Sequence, residues 1–448
     1  MANEAMSFLG GIGIGEESTY GTAAAITDWL QASGETMSYQ QQQDVSAAIF
    51  TDSEMIDTIP GRIVVGGGVT IPAYGGAGFA RMLKFANRST SSASIPYDAS
   101  LTYVTPGSGG DLDPGNYLCR IAHVLQHTRS GRLYMTNPSA SSSVGLGAGE
   151  GTIDFTWAAP SAGSIPFGYS HAGTMLMRSE AGGSDVYLSK YVPGSGTSAS
   201  DDGSQTLSSV AAPAAMYRHR FTGSHAQPES FSMECVDDNG FSRLYTGCMV
   251  NQLGLTIRPG ERVSAQFDIF GQTMDSVPSS TPSPTALNGL HGKDAFAYLR
   301  DSGGTYSANN LVNSFDLTLN NRLNRRDNLN GTAYVRAIRA QMREIRGSAD
   351  FDFESLEQLN DMLEHRCKDL LLVILGPSSC APFVQGAYTV HAWPSQLQVH
   401  IPNFQFESST ANLSADSPVV NRLPWIARKS ASAGYALQIE AHNTASSL

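Results

Sequence analysis

Residues 312–320 read VNSFDLTLN. In an extended chain successive side chains point to opposite faces, so Phe315, Leu317 and Leu319 share one side while Ser314, Asp316, Thr318 and Asn320 share the other. That period of two predicts an antiparallel strand, apolar toward a core and polar away from it. The pattern recurs in ERVSAQFDIFG (261–271), where Val263, Ala265, Phe267 and Ile269 form the apolar face. In SADFDFE (348–354), Ala349, Phe351 and Phe353 oppose Asp350, Asp352 and Glu354. SQLQVHIPNFQFES (395–408) and GYALQIEAHN (434–443) alternate in the same way. A mainly β fold follows.

Helical periodicity is confined to two places. GAGFARMLKFA (76–86) sets Phe79, Met82, Leu83 and Ala86 on one stripe. SLEQLNDMLEHRC (355–367) opens with Ser355 and Gln358 as a capping box, then places Leu356, Leu359, Met362 and Leu363 on one face. LLLVIL (370–375) behind it suits a buried strand. The expected subunit is a β-sandwich or barrel whose sheets are covered by these two amphipathic helices.

Composition agrees. Of 448 residues 41% are hydrophobic, enough for a core, but only 15% are charged, and 45 glycines and many Ser/Thr residues fill the difference. The net charge is −12, from 40 acids and 28 bases, which argues against a protein that grips nucleic acid by neutralising phosphates. Of the bases, 23 are Arg and 5 are Lys, a balance that suits fixed bidentate contacts. MANEAMSFLGG at the start lacks the basic, long-apolar pattern of a signal peptide, and no apolar run is long enough for a membrane helix. Folding in a cytoplasm is expected, and the five scattered cysteines then read as free thiols. A two-residue turn at Asn239-Gly240 would set Cys235 opposite Leu244 and leave Cys248 roughly 13 Å away, beyond disulfide reach.

Residues 94–216 change character, with Ser/Gly-rich runs between short apolar islands, and read as an inserted, loop-rich β domain. The remaining 1–93 and 217–448 would form one discontinuous domain. GSGTSASDDGSQTLSS (194–209) reads as linker, and SVPSSTPSPTALNG (276–289) as a loop between strands.

The candidate chemistry is thin. GIGIGEESTYGTAA (11–24) fails the dinucleotide spacing and places Glu16 and Glu17 where a phosphate would sit, so it reads instead as a mobile glycine-rich arm that anchors at Tyr20-Gly21-Thr22. GYSHAG (168–173) nearly spells a nucleophile elbow, but Ala172 replaces the final glycine and no helix follows. His123 and His127 have metal-ligand spacing without the accompanying glutamate. DLDPG and VDDNG read as turns. No cofactor and no enzyme activity are predicted. The richest feature is RLNRRDNLNGTAYVRAIRAQMREIRG (322–347), with seven arginines in an acidic chain. A subunit interface that meets a neighbour's acids is the preferred reading, ahead of a nucleic-acid patch or a solvated face.

The order of these pieces resembles the phage tail tube (major tail) protein family. The carriers are a glycine-rich start leading into Glu-x-x-Tyr-Gly-Thr, then GRIVVGGGVTIPAYGGAGFARMLKFA and SFSMECVDDNGFSRLYTGCMVNQLGLTIRPGERVSAQFDIFGQ. After them come FAYLRDSGGTYSANNLVNSFDLTLNNRL, HIPNFQFESS and GYALQIEAHN. The resemblance covers 1–93 and 217–448 and leaves 94–216 outside it. It implies a virion protein made in the host cytoplasm, six copies of which close into a ring. Stacked rings form a tube through which DNA leaves without specific binding. Implied partners are further copies of the chain and a tape-measure, a terminator and a baseplate or tip protein. Asp350, Asp352 and Glu354 are the lumen candidates. Tyr20, Gly21, Thr22, Arg322, Arg325, Arg326, Arg336, Arg339 and Arg343 are the inter-subunit candidates, and 276–289 with the arm are candidates for ring-to-ring contacts. A capsid or decoration protein and a carbohydrate-binding or hydrolytic surface protein are the alternatives. An outer-membrane barrel would need the missing signal peptide and aromatic girdles.

Overall fold

The computed structural model describes residues 10–45, 58–95, 99–161, 165–223, 227–237, 241–278, 280–284, 288–301, 304–326, 333–352, 357–378, 380–408, 410–414 and 417–448. The alternating segments are strands, and the fold is mainly β with a nearly closed, barrel-like sheet. Six strands hydrogen-bond in one antiparallel run: Thr58–Pro72, Ser264–Gly271, Phe241–Ile257, Val312–Asn320, Glu344–Asp352 and Ser417–Ala427. Their inward residues include Val69, Ile71, Phe267, Ile269, Leu253, Phe315, Leu317, Leu319, Phe351 and Trp425, all buried in one core. The sheet continues from Ser417–Ala427 through Pro394–Phe406 and Gln438–Asn443 to Tyr217–Thr222 and Thr90–Ser94.

The helix Ala77–Asn87 (α1) lies inside this curved sheet and packs on Asp28–Leu30, Tyr217–Thr222, Phe241–Ile257 and Gln438–Asn443. Nine of its eleven residues are buried, so the one-sided stripe understates it. It is a core plug rather than a cover. Gly78 and Ala80 let neighbours approach its second face, and the one buried cation there, Lys84, reaches Glu16 at 2.7 Å and Glu229 at 3.2 Å. Phe85 stacks on Phe231 with ring centroids 4.5 Å apart. The second helix, Glu357–Leu363 (α2), is short; Met362 packs on the core, while Ser355 and Leu356 lie outside the described residues. The apolar run behind it is the buried strand Lys368–Ser378.

The mobile-arm reading of GIGIG is overturned. Gly11–Glu16 is a strand paired on one side with Phe231–Val236 and on the other with Asp28–Leu30. Ile12 and Ile14 enter the core, and the glycines serve close packing on the opposite face. A Cβ at Gly13 would meet Ile26 Cγ2 at 2.4 Å, and one at Gly15 would meet the Ala25 carbonyl oxygen at 2.0 Å. Residues 1–9 lie outside the described residues.

Two other expectations change. Cys235 lies opposite Arg243, not Leu244, because the hairpin register pairs Val236 with Ser242 and leaves an odd number of residues between them. The supposed linker contains the strand Ser198–Asp201, which pairs with Glu150–Trp157. Asp201 is fully buried there and accepts from Arg178 Nε at 2.9 Å, a paired charge that holds the segment in place.

The chain enters residues 94–216 from Thr90–Ser94 and returns as Tyr217–Thr222, with Tyr217 directly opposite Ser94. Between them lie a three-stranded sheet and most of a seven-stranded one. The hairpin Phe383–Gln385 and Tyr388–Ala392 completes the larger sheet, Tyr388–Ala392 running parallel to Leu133–Met135.

A Gly15→Ala substitution forces the Ala25 backbone to move and lowers unfolding stability by about 1–3 kcal/mol. Gly34→Ala, whose Cβ would meet nothing within 4 Å, stays within about 0.5 kcal/mol of the parent. Chemical denaturation of the two variants checks the difference; equal midpoints would contradict the packing role given to Gly15.

Candidate functional site

The arginine-bearing segment begins where Val312–Asn320 ends. Asn321 is fully buried, and its side-chain amide donates to the carbonyls of Ala86 at 2.9 Å and Val250 at 3.0 Å. Its carboxamide oxygen accepts from Arg88 Nε at 3.0 Å, tying α1 to the sheet. Arg322 then takes a left-handed φ of 47°, which turns the chain out of the sheet. Asn324–Arg326 pairs with Ala337–Arg339 as a small separate hairpin. Leu323, Val335 and Ile338 beneath it form a cluster with Met249.

The hairpin alternates. Arg325 points in, lies over the Phe270 ring at 4.1 Å and donates from Nη2 to the Val65 carbonyl at 2.6 Å. Gly66 leaves room for that guanidinium, since a Cβ there would come within 2.8 Å of it. Arg326, Arg336 and Arg339 are exposed. Arg322 and Arg346 both pair with Glu344. Arg343 turns back toward α1 and donates to the Asn87 carbonyl at 3.2 Å. Burial, with Arg88 alongside, pulls its pKa down to about 10.

The Tyr-Gly-Thr step docks on the same hairpin, within its own subunit. Tyr20 packs on the Met249, Leu323, Val335 and Ile338 cluster. Glu17 is buried and accepts from the Gly21 amide at 2.9 Å, the Gly247 amide at 2.8 Å and Ser232 Oγ at 2.9 Å. Gly21 has a φ of 75°, the left-handed region that favours glycine, and the Thr22 amide closes a turn onto the Thr19 carbonyl. Thr22 itself is exposed.

Asp350 and Asp352 stand half-buried on the polar face of the six-stranded run. Asp350 accepts from Ser314 Oγ at 2.5 Å and faces Arg422 Nε at 4.0 Å, and Asp352 accepts from the Asn313 amide. Asp316, on the next strand, pairs with Arg258 at 2.9 Å. Glu354 lies outside the described residues. In the 276–289 segment, Ser280 caps the buried Glu234 carboxylate through its amide at 3.0 Å and its hydroxyl at 2.8 Å. Pro282 would collide with a Cβ at Gly11, and Gly289 at the far end bridges Tyr74, so both ends of that loop are pinned to the subunit.

The near-motifs do not assemble. Ser170 and His171 are consecutive residues of the strand Tyr169–Ser179, so they face opposite ways and there is no elbow. His123 packs edge-on against His171 with centroids 5.4 Å apart, and His127 bonds Ser130 at 3.0 Å. Among the described residues, no three His, Cys, Asp or Glu side chains gather as a metal set, and no helix is long and apolar enough to cross a membrane. Reading the sequence alone misses Arg88, Asn321, Arg428 and Lys429. The doubled Asn320-Asn321 was the one visible signal for any of them.

The family model described as phage tail tube protein matches residues 7–366, most of the chain and including 94–216. The chain belongs to that family and is thus a structural protein of the phage tail. No curated protein matches it.

Burial keeps several histidines neutral well below their usual pKa of 6.5: His123 and His127 are pulled down to about 4, His442 to about 3, and His171, His219 and His391 in the same direction. Above pH 6.5 neither folded nor unfolded chain protonates these rings. Between 6.5 and 4 the unfolded chain takes up protons that the folded chain refuses, so stability falls, by on the order of 3 kcal/mol for a ring held neutral to pH 4. Denaturant midpoints measured from pH 7 to pH 4 should decline through this window; a flat profile would contradict the buried, neutral state.

Proposed function

We propose that six copies of this chain close into a ring and that stacked rings form the hollow tail tube through which DNA is ejected. The observation that carries this is the two-faced strand run with open edges. Among the described residues, Ser38–Val45 pairs only with Thr58–Pro72, and Thr410–Ser414 only with Ser417–Ala427. Exposed edges of this kind invite further chains, and ring closure pairs them. The opposite, polar face carries Asp268, Asp316, Asp350 and Asp352. An acidic, wetted wall repels phosphates and lets DNA slide without multi-site neutralisation. On this reading Asp350, Asp352 and Glu354 border the lumen, and Asp350 and Asp352 are held by hydrogen bonds rather than free to clamp.

Residues 94–216 form an outer domain in the same reading, since only outward growth leaves the bore open. Arg322, Arg325, Arg326, Arg336, Arg339 and Arg343 serve contacts between subunits, either directly or, for Arg325, by bracing the hairpin that bears the others. Tyr20, Gly21 and Thr22 act likewise, by fixing that hairpin from below. The 276–289 loop contributes to contacts between rings. Tape-measure, terminator and baseplate or tip proteins would meet the tube inside and at its ends.

Negative-stain microscopy of the concentrated protein is expected to show hollow rings or tubes with sixfold end views. A protein that remains monomeric at high concentration, with or without other tail components, would overturn the reading.

A further inference from the structure

Beyond the hairpin, the segment 340–346 and the 426–436 loop enclose a cleft of about 890 Å³. Its walls carry six basic residues, Arg88, Arg322, Arg343, Arg346, Arg428 and Lys429, against the single acid Glu344. That concentration stands out in a chain with 40 acids and 28 bases. Glu344 is already engaged by Arg322 and Arg346, and Arg346 reaches Glu407 as well.

The two innermost arginines have only neutral acceptors among the described residues. Arg88 donates to the Asn321 side chain at 3.0 Å, the Asn321 carbonyl at 3.1 Å and the Gln341 carbonyl at 3.4 Å. Arg343 donates to the Asn87 carbonyl at 3.2 Å. Two neighbouring guanidinium groups in a half-dry recess, without an anion, repel each other and lose hydration. Arg428 and Lys429 at the mouth are exposed and form no ion pair among the described residues. A carboxylate entering the cleft would supply the missing charge and accept paired N–H bonds from a guanidinium fork.

We propose that this cleft is the seat for a carboxylate-bearing segment of a second copy of this chain. The proposal rests on the tube reading and names the surface by which one subunit takes its neighbour. Two features favour a protein carboxylate over a nucleic-acid phosphate. Met342 at the rim is 78% exposed, an apolar anchor of the kind that protein interfaces use. The walls include Ile345, Ile426 and Ala436, and Glu344 among them disfavours a polyanion.

The test uses the full chain and the double variant Arg428→Glu, Lys429→Glu, whose sites are exposed and whose folding is checked by thermal melting. Sedimentation velocity and negative-stain microscopy read assembly, and fluorescence anisotropy with a short labelled DNA duplex reads nucleic-acid binding. The expected result is an unchanged melt with a critical concentration for assembly raised about tenfold or more, and an Arg343→Met variant that assembles poorly without reversing any charge. If the parent assembles and the double variant assembles equally well, the cleft proposal is overturned and the tube reading stands. If the parent does not assemble at all, the tube reading fails and takes the cleft with it. If the double variant assembles normally but loses duplex binding that the parent has, the cleft serves nucleic acid and the proposal is overturned.

Discussion

A long antiparallel sheet that is apolar on one face only must curl around something to bury that face. Here α1 supplies it, and the rest of the subunit depends on that contact. Strands twist and coil as a matter of backbone chirality, so a run of this length closes readily once its interior is filled. The helix fills it almost completely, with Phe79, Met82, Phe85 and Ala86 buried to 1% or less. Even the awkward residues are accommodated: Lys84 by two glutamates, Asn87 by a bond to the Leu83 carbonyl, and Arg88 by Asn321. Phe231, the strand partner of Glu16, stacks on Phe85, so the N-terminal strand is locked to the helix as well as to its sheet.

With the apolar face settled inward, the polar face is free to serve the assembly. Its acids are spaced across neighbouring strands and engaged by Ser314, Asn313, Arg258 and Arg422. Arg258 and Arg422 stand among these carboxylates on the same face and partly neutralise them, and the acids outnumber them there. The other basic groups gather in the hairpin and in the cleft beside it. In the proposed tube, the acid-rich face would border the channel and the basic cleft would receive a neighbouring copy.

Much of this was legible in the sequence because period-two alternation is local. Leu317 and Phe267 announce their burial from their nearest neighbours, as do Phe79 and Leu83 at helical spacing. What was not legible depends on contacts far apart in the chain. The GIGIG glycines look like those of a flexible arm until Pro282, more than half the chain away, is found against Gly11. Asp201 sits in a run that composition marks as linker, and only its burial with Arg178 reveals a strand. The arginine cluster was visible as a cluster, but not the division of labour within it: Arg325 braces, Arg326, Arg336 and Arg339 face outward, and Arg343 joins Arg88, Arg428 and Lys429 from three separate segments. Glu354 and the capping box at Ser355 fall outside the described residues.

In the proposed tube the acidic sheet face looks into a bore. A helical reconstruction of tubes, native or assembled from the purified chain, at side-chain resolution tests it directly. The expected map shows Asp350 and Asp352 bordering a central channel, the strand edges Ser38–Val45 and Thr410–Ser414 paired across subunits, and residues 94–216 on the outside. A tube whose bore is lined by residues 94–216, or whose acidic sheet face looks outward, would contradict it.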